Sequence, residues 1–355
     1  MRYTLLGKSG LRVSELALGT MTFGTDWKLP PEVPGRLLDQ FADAGGNLLD
    51  TANEYGNGTA ESLLGELLAG RRDRFVLSTK YTMQTRPGDL NSAGNHRKNL
   101  VNSLEASLRR LRTDHLDLLW VHARDTLTPV PEVMRALEDV VRAGKVLYVG
   151  VSDWPAWEVA QANTLAELRG WSAFVGLQLH YNLLDRTAER ELLPMAHAFD
   201  LPVLAWGPLA DGRLTGKYLT GGTGRLDSVA WGRARGEGDD VVREVLAVAE
   251  AVGRPPAQVA LAWLRSRPGT VIPLVGATSE EQLRQNLSAT ELSLDDEQLA
   301  ALDRVSAVPA GFPHAFLRFP AMVRLIYGDQ WDQVDDRRTT VRRAVADDLY
   351  GTAAR

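Results

Sequence analysis

Short apolar runs alternate with longer amphipathic stretches through most of the chain, and this rhythm is its clearest structural signal. The apolar runs predict eight strands, at residues 15–20, 46–51, 74–80, 116–122, 145–152, 174–180, 201–206 and 270–276. The amphipathic stretches between them predict helices, for example at residues 31–45, 93–113 and 130–144, several of which end in Gly or start beside Pro. Eight strands that are each followed by a helix predict an α/β protein with the (β/α)₈ TIM barrel architecture.

Three segments lie outside this rhythm. Residues 3–14 combine two short apolar runs with the turn GKSG and predict an N-terminal β-hairpin. Residues 207–240 form a long Gly- and Arg-rich insertion after the seventh barrel strand, and loops of this length are usually functional or disordered. We expect residues 1–320 to form the barrel domain and residues 321–355 to be a C-terminal extension.

A doubly wound sheet would also alternate strands and helices, but it would normally carry G-x-G-x-x-G after a strand if it bound a dinucleotide. This sequence has no such motif. The stretch GRLTGKY at residues 212–218 resembles a phosphate-binding P-loop, but its spacing is too short and Tyr218 stands where Ser or Thr is required.

Composition narrows the class of protein. The 355 residues carry a formal net charge of −5, which argues against a nucleic-acid or anionic-membrane partner. The absence of cysteine excludes disulfides, thiolate metal ligands and a Cys nucleophile, and we expect no metal site. The N-terminal residues lack the unbroken apolar segment of a signal peptide, and no stretch approaches the length of a membrane helix. We therefore expect a cytoplasmic protein.

Four polar residues fall at or just beyond the carboxyl ends of predicted strands, where barrel enzymes place their chemistry. Asp50, Lys80 and His122 end the second, third and fourth strands, and Tyr55 follows in the second loop. Each alone has an ordinary structural explanation, such as a helix cap or a rim aromatic, but one geometric rule puts all four on one rim. A lysine ammonium favours the phenolate and is expected to lower the tyrosine pKa, while a carboxylate keeps the lysine charged. Histidine can donate an N–H to a carbonyl oxygen.

The sequence resembles the aldo-keto reductases, whose catalytic tetrad is Asp, Tyr, Lys and His on a (β/α)₈ barrel. The resemblance rests on LALGTMTFG (16–24), LLDTANEYG (48–56), LSTK (77–80), LDLLWVH (116–122), AGKVLYVGVSDW (143–154), LQLHYN (177–182), WGPLADGRLTGKY (206–218) and VIPLVGATSEEQLRQN (271–286). It implies an NAD(P)H-dependent reductase of aldehydes and ketones, with Tyr55 as the general acid, Lys80 and Asp50 tuning it, and His122 orienting the carbonyl.

The resemblance also implies positions for the cofactor. The residues carried over are Gly19, Thr20, Met21, Ser152, Gln178, Trp206, Pro208, Leu209, Gly212, Arg225, Gly276, Thr278, Gln282 and Asn286. Ser152 and Gln178 match residues that bind the nicotinamide carboxamide, and Trp206 matches the aromatic that stacks on its ring. Asp153 stands where Asn is common, so its part in this contact is open.

The adenosine end favours NADPH, although NADH stays open. Relatives that hold a 2′-phosphate with Lys or Arg carry those cations at the counterparts of Gly276 and Gln282, and this chain has neither. The potassium-channel β-subunit-like branch shares the Gly, hydroxyl and Gln pattern and still takes NADPH. Arg284 is the nearest cation in sequence.

The substrate pocket is expected to draw on rim loops and the C-terminal tail. Its candidates are Met21, Trp27, Tyr81, Arg124, Trp231 and Phe316. An aromatic cleft suits an apolar aldehyde or ketone. Arg124 either biases the pocket toward acidic or polar substrates or pairs with Asp125 or another carboxylate on the rim, and His180 is ambiguous.

Two other functions compete with carbonyl reduction. Lys80 could form a Schiff base in a barrel aldolase, and the neighbouring Tyr and Asp would serve that chemistry too. A non-enzymatic NADPH-sensing subunit is the second alternative, although such subunits often lack the histidine that is present here as His122.

Overall fold

The computed structural model describes residues 1–224, 237–330 and 333, and these fold around a closed barrel of eight parallel strands. The chain starts with the antiparallel hairpin β1 (Tyr3–Leu5) and β2 (Arg12–Ser14), as predicted. The barrel strands are β3 (Ala17–Gly19), β4 (Leu48–Asp50), β5 (Val76–Tyr81), β6 (Leu116–Val121), β7 (Val146–Ser152), β8 (Phe174–His180), β9 (Val203–Trp206) and β10 (Val271–Val275). The barrel closes through the pairing of β10 with β3, which confirms the predicted (β/α)₈ architecture.

Helices surround the barrel. They are α1 (Val33–Asp43), α2 (Thr59–Leu67), α3 (Arg97–Leu111), α4 (Val130–Arg142), α5 (Ala156–Arg169), α6 (Leu192–Phe199), α7 (Asp239–Val252), α8 (Pro256–Arg265), α9 (Glu280–Leu287), α10 (Asp296–Val305), α11 (His314–Leu317) and α12 (Pro320–Tyr327). The helices predicted at residues 31–45, 93–113 and 130–144 correspond to α1, α3 and α4. Among the described residues no helix is both long and apolar enough to cross a bilayer.

The period of two along each strand divides the core into two layers. Leu49, Leu77 and Leu119 face outward and pack under the helices. The inward-facing side chains form a separate apolar cluster inside the barrel, which consists of Leu6, Val13, Ala17, Leu48, Val76, Leu118, Trp120, Leu204 and Ile272. Since Leu6 and Val13 belong to the hairpin segment, β1 and β2 close the amino-terminal end of the barrel.

Trp120 fills the middle of the barrel, and glycines on the next two strands make room for it. A Cβ on Gly150 would lie 2.3 Å from the Trp120 ring, and one on Gly176 would lie 3.2 Å from it. On the carboxyl-terminal side of this ring the inward-facing side chains are polar. They include the buried residues Asp50, Lys80 and Gln178. The polar layer lies at the carboxyl ends of the strands, where the sequence predicts a site.

The predicted insertion at residues 207–240 begins with 3₁₀ helices at Ala210–Thr215 and Lys217–Thr220. Residues 225–236 lie outside the described part of the chain, and so do Arg225 and Trp231, the two predicted site residues within them.

Candidate active site

The four residues of the predicted tetrad come together at the carboxyl end of the barrel. Asp50 ends β4, Lys80 is the last but one residue of β5, and His122 follows β6 directly. Tyr55 begins a short 3₁₀ helix, Tyr55–Gly58, in the loop after β4. Pairing of β4 with β5 and of β5 with β6 therefore sets the spacing of three of these side chains.

Lys80 is the hydrogen-bonding centre of the group. Its Nζ donates to Asp50 Oδ2 at 2.5 Å, to the Thr51 carbonyl at 2.9 Å and to the Tyr55 hydroxyl at 3.2 Å. The same Nζ lies 4.9 Å from the centre of the Tyr55 ring. The His122 ring stands edge-on to the Tyr55 ring, with 6.2 Å between their centres. The phenol is thus held between an ammonium and an imidazole.

Asp50 accepts two further hydrogen bonds that were not predicted from the sequence. Ser78 Oγ donates to Asp50 Oδ1 at 2.9 Å, and Gln178 Nε2 donates to the same oxygen at 3.1 Å. Ser78 lies two residues before Lys80 on β5, so the period of two places both side chains inside the barrel. Ser78 could therefore have been predicted to face Asp50 from the strand periodicity alone.

Burial and charge act against each other at Lys80 and at Tyr55. Burial would lower the pKa of Lys80, but the Asp50 carboxylate and the Tyr55 hydroxyl raise it, and the net pKa is above the ordinary value. Burial raises the pKa of Tyr55, and Lys80 only partly offsets this. The net pKa of Tyr55 is therefore above its ordinary value, contrary to the expected lowering, because desolvation of the partly buried phenol outweighs the ammonium. Tyr55 keeps its proton at neutral pH.

His122 is held as a neutral imidazole. Its side chain is mostly buried, and burial together with the Lys80 ammonium holds the pKa of His122 well below its ordinary value. Its backbone N–H donates to the Tyr81 carbonyl at 3.0 Å, which continues the sheet hydrogen bonding beyond the end of β6. A neutral imidazole carries one N–H donor, which can face a carbonyl oxygen.

The loop that carries Tyr55 is fixed by close backbone packing. Gly56 has a φ of 55°, and a Cβ there would lie 2.2 Å from Thr59 Oγ1 and 3.0 Å from Gly24 Cα. Thr59 Oγ1 donates to the Gly56 carbonyl at 2.9 Å and accepts from Thr25 N at 3.2 Å. The loop after β3 thereby locks against the loop after β4, which sets the position of Tyr55.

Trp206 is held by side chains from the two preceding strands. Its ring packs against the His180 ring, with 4.3 Å between centres and 33° between planes. Its Nε1 donates to Asp153 Oδ1 at 3.1 Å. His180 Nδ1 in turn lies 3.3 Å from Asp185 Oδ2. The sequence does not assign a role to His180 or Asp153, and in the structure both residues contact Trp206, the predicted stacking aromatic.

The inner rim offers polar groups that fit a carboxamide. Ser152 and Gln178 are adjacent in the pairing of β7 with β8, and both are buried. Ser152 Oγ has no hydrogen bond of normal geometry within the described residues. The amide nitrogen of Gln178 donates to Asp50, and its amide oxygen remains a separate hydrogen-bond acceptor. The buried Ser152 hydroxyl, which also lies near the Asp153 carboxylate, and the Gln178 amide oxygen together fit a nicotinamide carboxamide at this position.

The other predicted residues of the first and seventh loops line the same end of the barrel. Gly19 ends β3, and Thr20 Oγ1 donates to the Asp50 carbonyl at 3.1 Å. Met21 starts a 3₁₀ helix, Met21–Phe23. Pro208 and Leu209 follow β9, and the Gly212 N–H donates to the Leu209 carbonyl at 3.0 Å, so that this N–H is used within the turn.

The predicted adenosine end lies where β10 leads into α9. Both the N–H and the hydroxyl of Thr278 donate to Gln282 Oε1 at 2.9 Å, and Asn286 Nδ2 donates to the Gly276 carbonyl at 3.5 Å. Arg284 forms a salt bridge with Glu281 on the same helix.

A second cation, which the sequence did not predict, reaches this turn from α1. Arg36 Nη1 lies 3.3 Å from Glu280 Oε1 in the first turn of α9. Both side chains are more than half exposed, so the pair is weak and the guanidinium can turn toward an anion. The packing of α1 against α9 is a tertiary contact that no local sequence motif indicates.

The structure places Tyr81 away from the predicted pocket and shows Arg124 in one of its two predicted roles. Tyr81 is only 1% exposed and packs in the outer core, with its hydroxyl donating to the Asn95 carbonyl. Its assignment to the pocket was wrong, because Tyr81 is one step out of phase with the inward-facing Lys80. Arg124 is paired with the Glu158 carboxylate and lies over the Trp154 ring, which supports the ion-pair alternative.

The remaining pocket candidates are partly exposed. Met21 and Trp27 belong to the loop after β3, and Phe316 on α11 is 43% exposed and packs against Phe312. Met21 and Trp27 give the loop after β3 an apolar character, which suits an apolar ligand, whereas no contact joins Phe316 to the tetrad within the described residues.

Comparison with known proteins identifies the protein family. The sequence matches the Aldo/keto reductase family over residues 15–307. Norsolorinic acid reductase of Emericella nidulans is 39% identical over 87% of this chain and 82% of its own length. The uncharacterized oxidoreductase YrpG of Bacillus subtilis is 39% identical over 88% of this chain and 98% of its own. A putative aryl-alcohol dehydrogenase of Saccharomyces cerevisiae is 36% identical over 89% of each chain.

The chain belongs to the aldo/keto reductase family. It is an oxidoreductase that acts on CH–OH and C=O groups with NAD(P).

Proposed function

We propose that this protein is an NADPH-dependent reductase of aromatic aldehydes or ketones, with Tyr55 as proton donor. The observation that carries the proposal is the position of the Lys80 ammonium, which donates to Asp50 Oδ2 at 2.5 Å and to the Tyr55 hydroxyl at 3.2 Å. An ammonium at this distance stabilises negative charge that develops on the phenol oxygen as the proton leaves it.

The roles of the four residues follow from their protonation states. Tyr55 is protonated at neutral pH, so it can give its proton to the oxygen of a carbonyl compound as that oxygen becomes an alkoxide. Lys80 compensates the phenolate that remains, and Asp50 holds Lys80 in position. His122 donates its N–H to the same carbonyl oxygen and orients it. The phenolate regains a proton from water before the next turnover.

The bound cofactor supplies the hydride. Ser152 and Gln178 would hold its carboxamide, and Trp206 would lie against its ring, since these side chains are clustered on neighbouring strands. Arg36 is the cation that favours NADPH over NADH in this proposal, because its guanidinium reaches the turn that leads into α9. An arginine fork matches the geometry of a phosphate group.

Two observations support an aromatic substrate. The relatives include proteins named norsolorinic acid reductase and aryl-alcohol dehydrogenase. Trp27, in the loop after β3, is a partly exposed aromatic side chain at this end of the barrel. Flat apolar surfaces of this kind favour stacking with an aryl ring.

The Schiff-base alternative is disfavoured by the state of Lys80. An amine must lose its proton before it attacks a carbonyl, whereas the pKa of Lys80 is raised by Asp50 and Tyr55 against the effect of burial. Its Nζ is also engaged by three oxygen atoms.

The test is a substitution that removes only the phenol oxygen. Tyr55→Phe should lower kcat for reduction of an aryl aldehyde by about 10²–10⁴-fold, the usual contribution of a general acid, while NADPH binding measured by fluorescence titration stays within about twofold. A fully active Tyr55→Phe enzyme would refute the proton-donor role. Trapping of the carbonyl substrate on Lys80 by borohydride would instead favour the aldolase.

A further inference from the structure

Glu54 is a carboxyl group at the site to which the tetrad assigns no role. It directly precedes Tyr55, and its Oε1 lies 4.0 Å from His122 Nδ1. The Glu54 side chain is 38% exposed, whereas that of His122 is 12% exposed. Nδ1 of His122 is buried and has no hydrogen-bond partner within the described residues. A movement of about 1 Å by the half-exposed carboxyl would close the gap to a normal hydrogen bond.

The unpartnered nitrogen matters because a neutral imidazole has one N–H and one lone pair. The proposed role of His122 requires the N–H on Nε2, where it can face the carbonyl oxygen, and leaves the lone pair on Nδ1. A protonated Glu54 satisfies that lone pair as a donor. An ionised Glu54 is an acceptor only, and it favours the tautomer with the N–H on Nδ1.

Glu54 is the group of this cluster whose protonation state is expected to change with pH. Burial raises the pKa of Glu54, and the Lys80 ammonium opposes this. Lys80 also acts on His122, whose lowered pKa removes the imidazolium as a competing form. Among the described residues, the other titratable groups that interact with this cluster through a hydrogen bond are Asp50 and Tyr55, and both are bonded to Lys80.

We propose that Glu54 is a positioning residue that selects the tautomer of His122, an inference that rests on the proposed role of His122 in carbonyl reduction. As an acid, Glu54 donates to Nδ1, and the Nε2–H of His122 faces the substrate. When Glu54 releases its proton to solvent, the imidazole proton moves from Nε2 to Nδ1. Nε2 then presents a lone pair to the carbonyl oxygen, and the rate of reduction falls.

The kinetic test uses Glu54→Gln, because the glutamine amide is a donor to Nδ1 at every pH. For the wild-type enzyme with saturating NADPH and benzaldehyde, we expect kcat to fall with a midpoint above 4.5, the ordinary glutamic acid pKa. The fall should be on the order of 100-fold, the cost of losing one donor to a developing oxyanion. The kcat of Glu54→Gln should show no such step between about pH 5 and 9.

Two control variants separate this effect from general changes. Glu54→Ala leaves Nδ1 without either partner, so its kcat should be reduced at all pH values and show no step. Glu66→Gln removes an exposed glutamate that pairs with Arg112 on the outside of the barrel, and it should keep the wild-type step. A step of the same size and midpoint in Glu54→Gln would overturn the proposal.

A spectroscopic measurement reads the tautomer without activity. Long-range ¹H–¹⁵N correlation on ¹⁵N-histidine-labelled protein distinguishes Nε2–H from Nδ1–H, and His122→Asn assigns the signal. We expect His122 to change tautomer with pH in the wild type and to stay Nε2–H in Glu54→Gln. One unchanged tautomer in the wild type would overturn the proposal. A tautomer switch in a protein that reduces no carbonyl would support the Glu54–His122 pairing and overturn only the proposed function.

Discussion

The Lys80 ammonium and the Asp50 carboxylate form a salt bridge of 2.5 Å inside the barrel, where neither side chain has any solvent exposure. Moving two such charges out of water is costly unless additional hydrogen bonds satisfy both partners. Here the Thr51 carbonyl and the Tyr55 hydroxyl accept from Lys80, while Ser78 and Gln178 donate to Asp50. The pair is therefore fully hydrogen-bonded, and it holds the phenol oxygen at a fixed distance from the charge.

Removing one partner of this pair should destabilise the fold, because the other charge stays buried without compensation. We expect Asp50→Ala and Lys80→Met each to lower the free energy of unfolding by about 3–5 kcal/mol, measured by urea denaturation. The double variant Asp50→Leu with Lys80→Met should recover much of this loss and remain inactive. Single variants within about 1 kcal/mol of the wild type would contradict the account.

Alkaline pH should weaken the fold through the same cluster. The folded-state pKa values of Lys80 and Tyr55 are both above their ordinary values, so the folded protein binds these protons more tightly than the unfolded chain. Their contribution is fully present below about pH 10 and is lost as the pH rises through the folded-state pKa values. Tyr55→Phe removes one such group, and its free energy of unfolding should fall less steeply above about pH 10, by up to about 1.4 kcal/mol per pH unit. Parallel curves for the two proteins would exclude this contribution.

Much of the site could be predicted because strand periodicity is a local property. Inward-facing positions recur every second residue, so Asp50, Lys80 and His122 follow from strand ends alone. The same rule, applied one step further, would have found Ser78 and excluded Tyr81. The placement of Arg36 could not be predicted, because it depends on the packing of α1 against α9. The raised pKa of Tyr55 likewise depends on how deeply the phenol is buried.

The Tyr55 loop should be sensitive to a single methyl group at Gly56. Its positive φ and the 2.2 Å approach of a Cβ to Thr59 Oγ1 mean that Gly56→Ala adds both backbone strain and a steric clash. We expect a loss of about 2–4 kcal/mol in the free energy of unfolding and a lower kcat from displacement of Tyr55. Gly70→Ala is the matched control, since Gly70 also has a positive φ but no heavy atom within 4 Å of the added Cβ. It should cost only about 1–2 kcal/mol and leave kcat unchanged, and equal effects at both sites would rule out the clash.

Cofactor choice should depend on Arg36. Its removal takes away a cation at the turn before α9, so Arg36→Ala should raise the KM for NADPH by about 5- to 20-fold and leave that for NADH within about twofold. Arg284→Ala is the control, because Glu281 on the same helix holds Arg284 through three hydrogen bonds of 2.6, 2.7 and 2.9 Å, whereas Arg36 has one contact of 3.3 Å with Glu280. An equal change in KM for both cofactors would show that Arg36 does not contact the group that distinguishes them.

The hydrogen bond from Trp206 to Asp153 should matter for the cofactor rather than for the fold. Asp153 has a φ of 52°, a conformation that Asp and Asn tolerate better than most residues, and its carboxylate accepts from the indole N–H at 3.1 Å. With the His180 ring packed against the indole, this bond fixes the plane of the Trp206 ring. A ring held in one plane loses less freedom when a ligand stacks on it, so losing the bond should weaken binding.

A double-mutant cycle measures this coupling. Trp206→Phe keeps an aromatic ring but lacks the N–H, and Asp153→Ala lacks the acceptor; each should raise the Kd for NADPH by about 2- to 12-fold, the net value of one typical intramolecular hydrogen bond. The double variant should have a Kd for NADPH no higher than that of the single variant that binds NADPH less tightly, because both changes remove the same hydrogen bond. Asp153→Asn retains an amide oxygen as acceptor and should stay within about threefold of the wild type. Effects that multiply in the double variant would mean that Asp153 and Trp206 act independently on the cofactor.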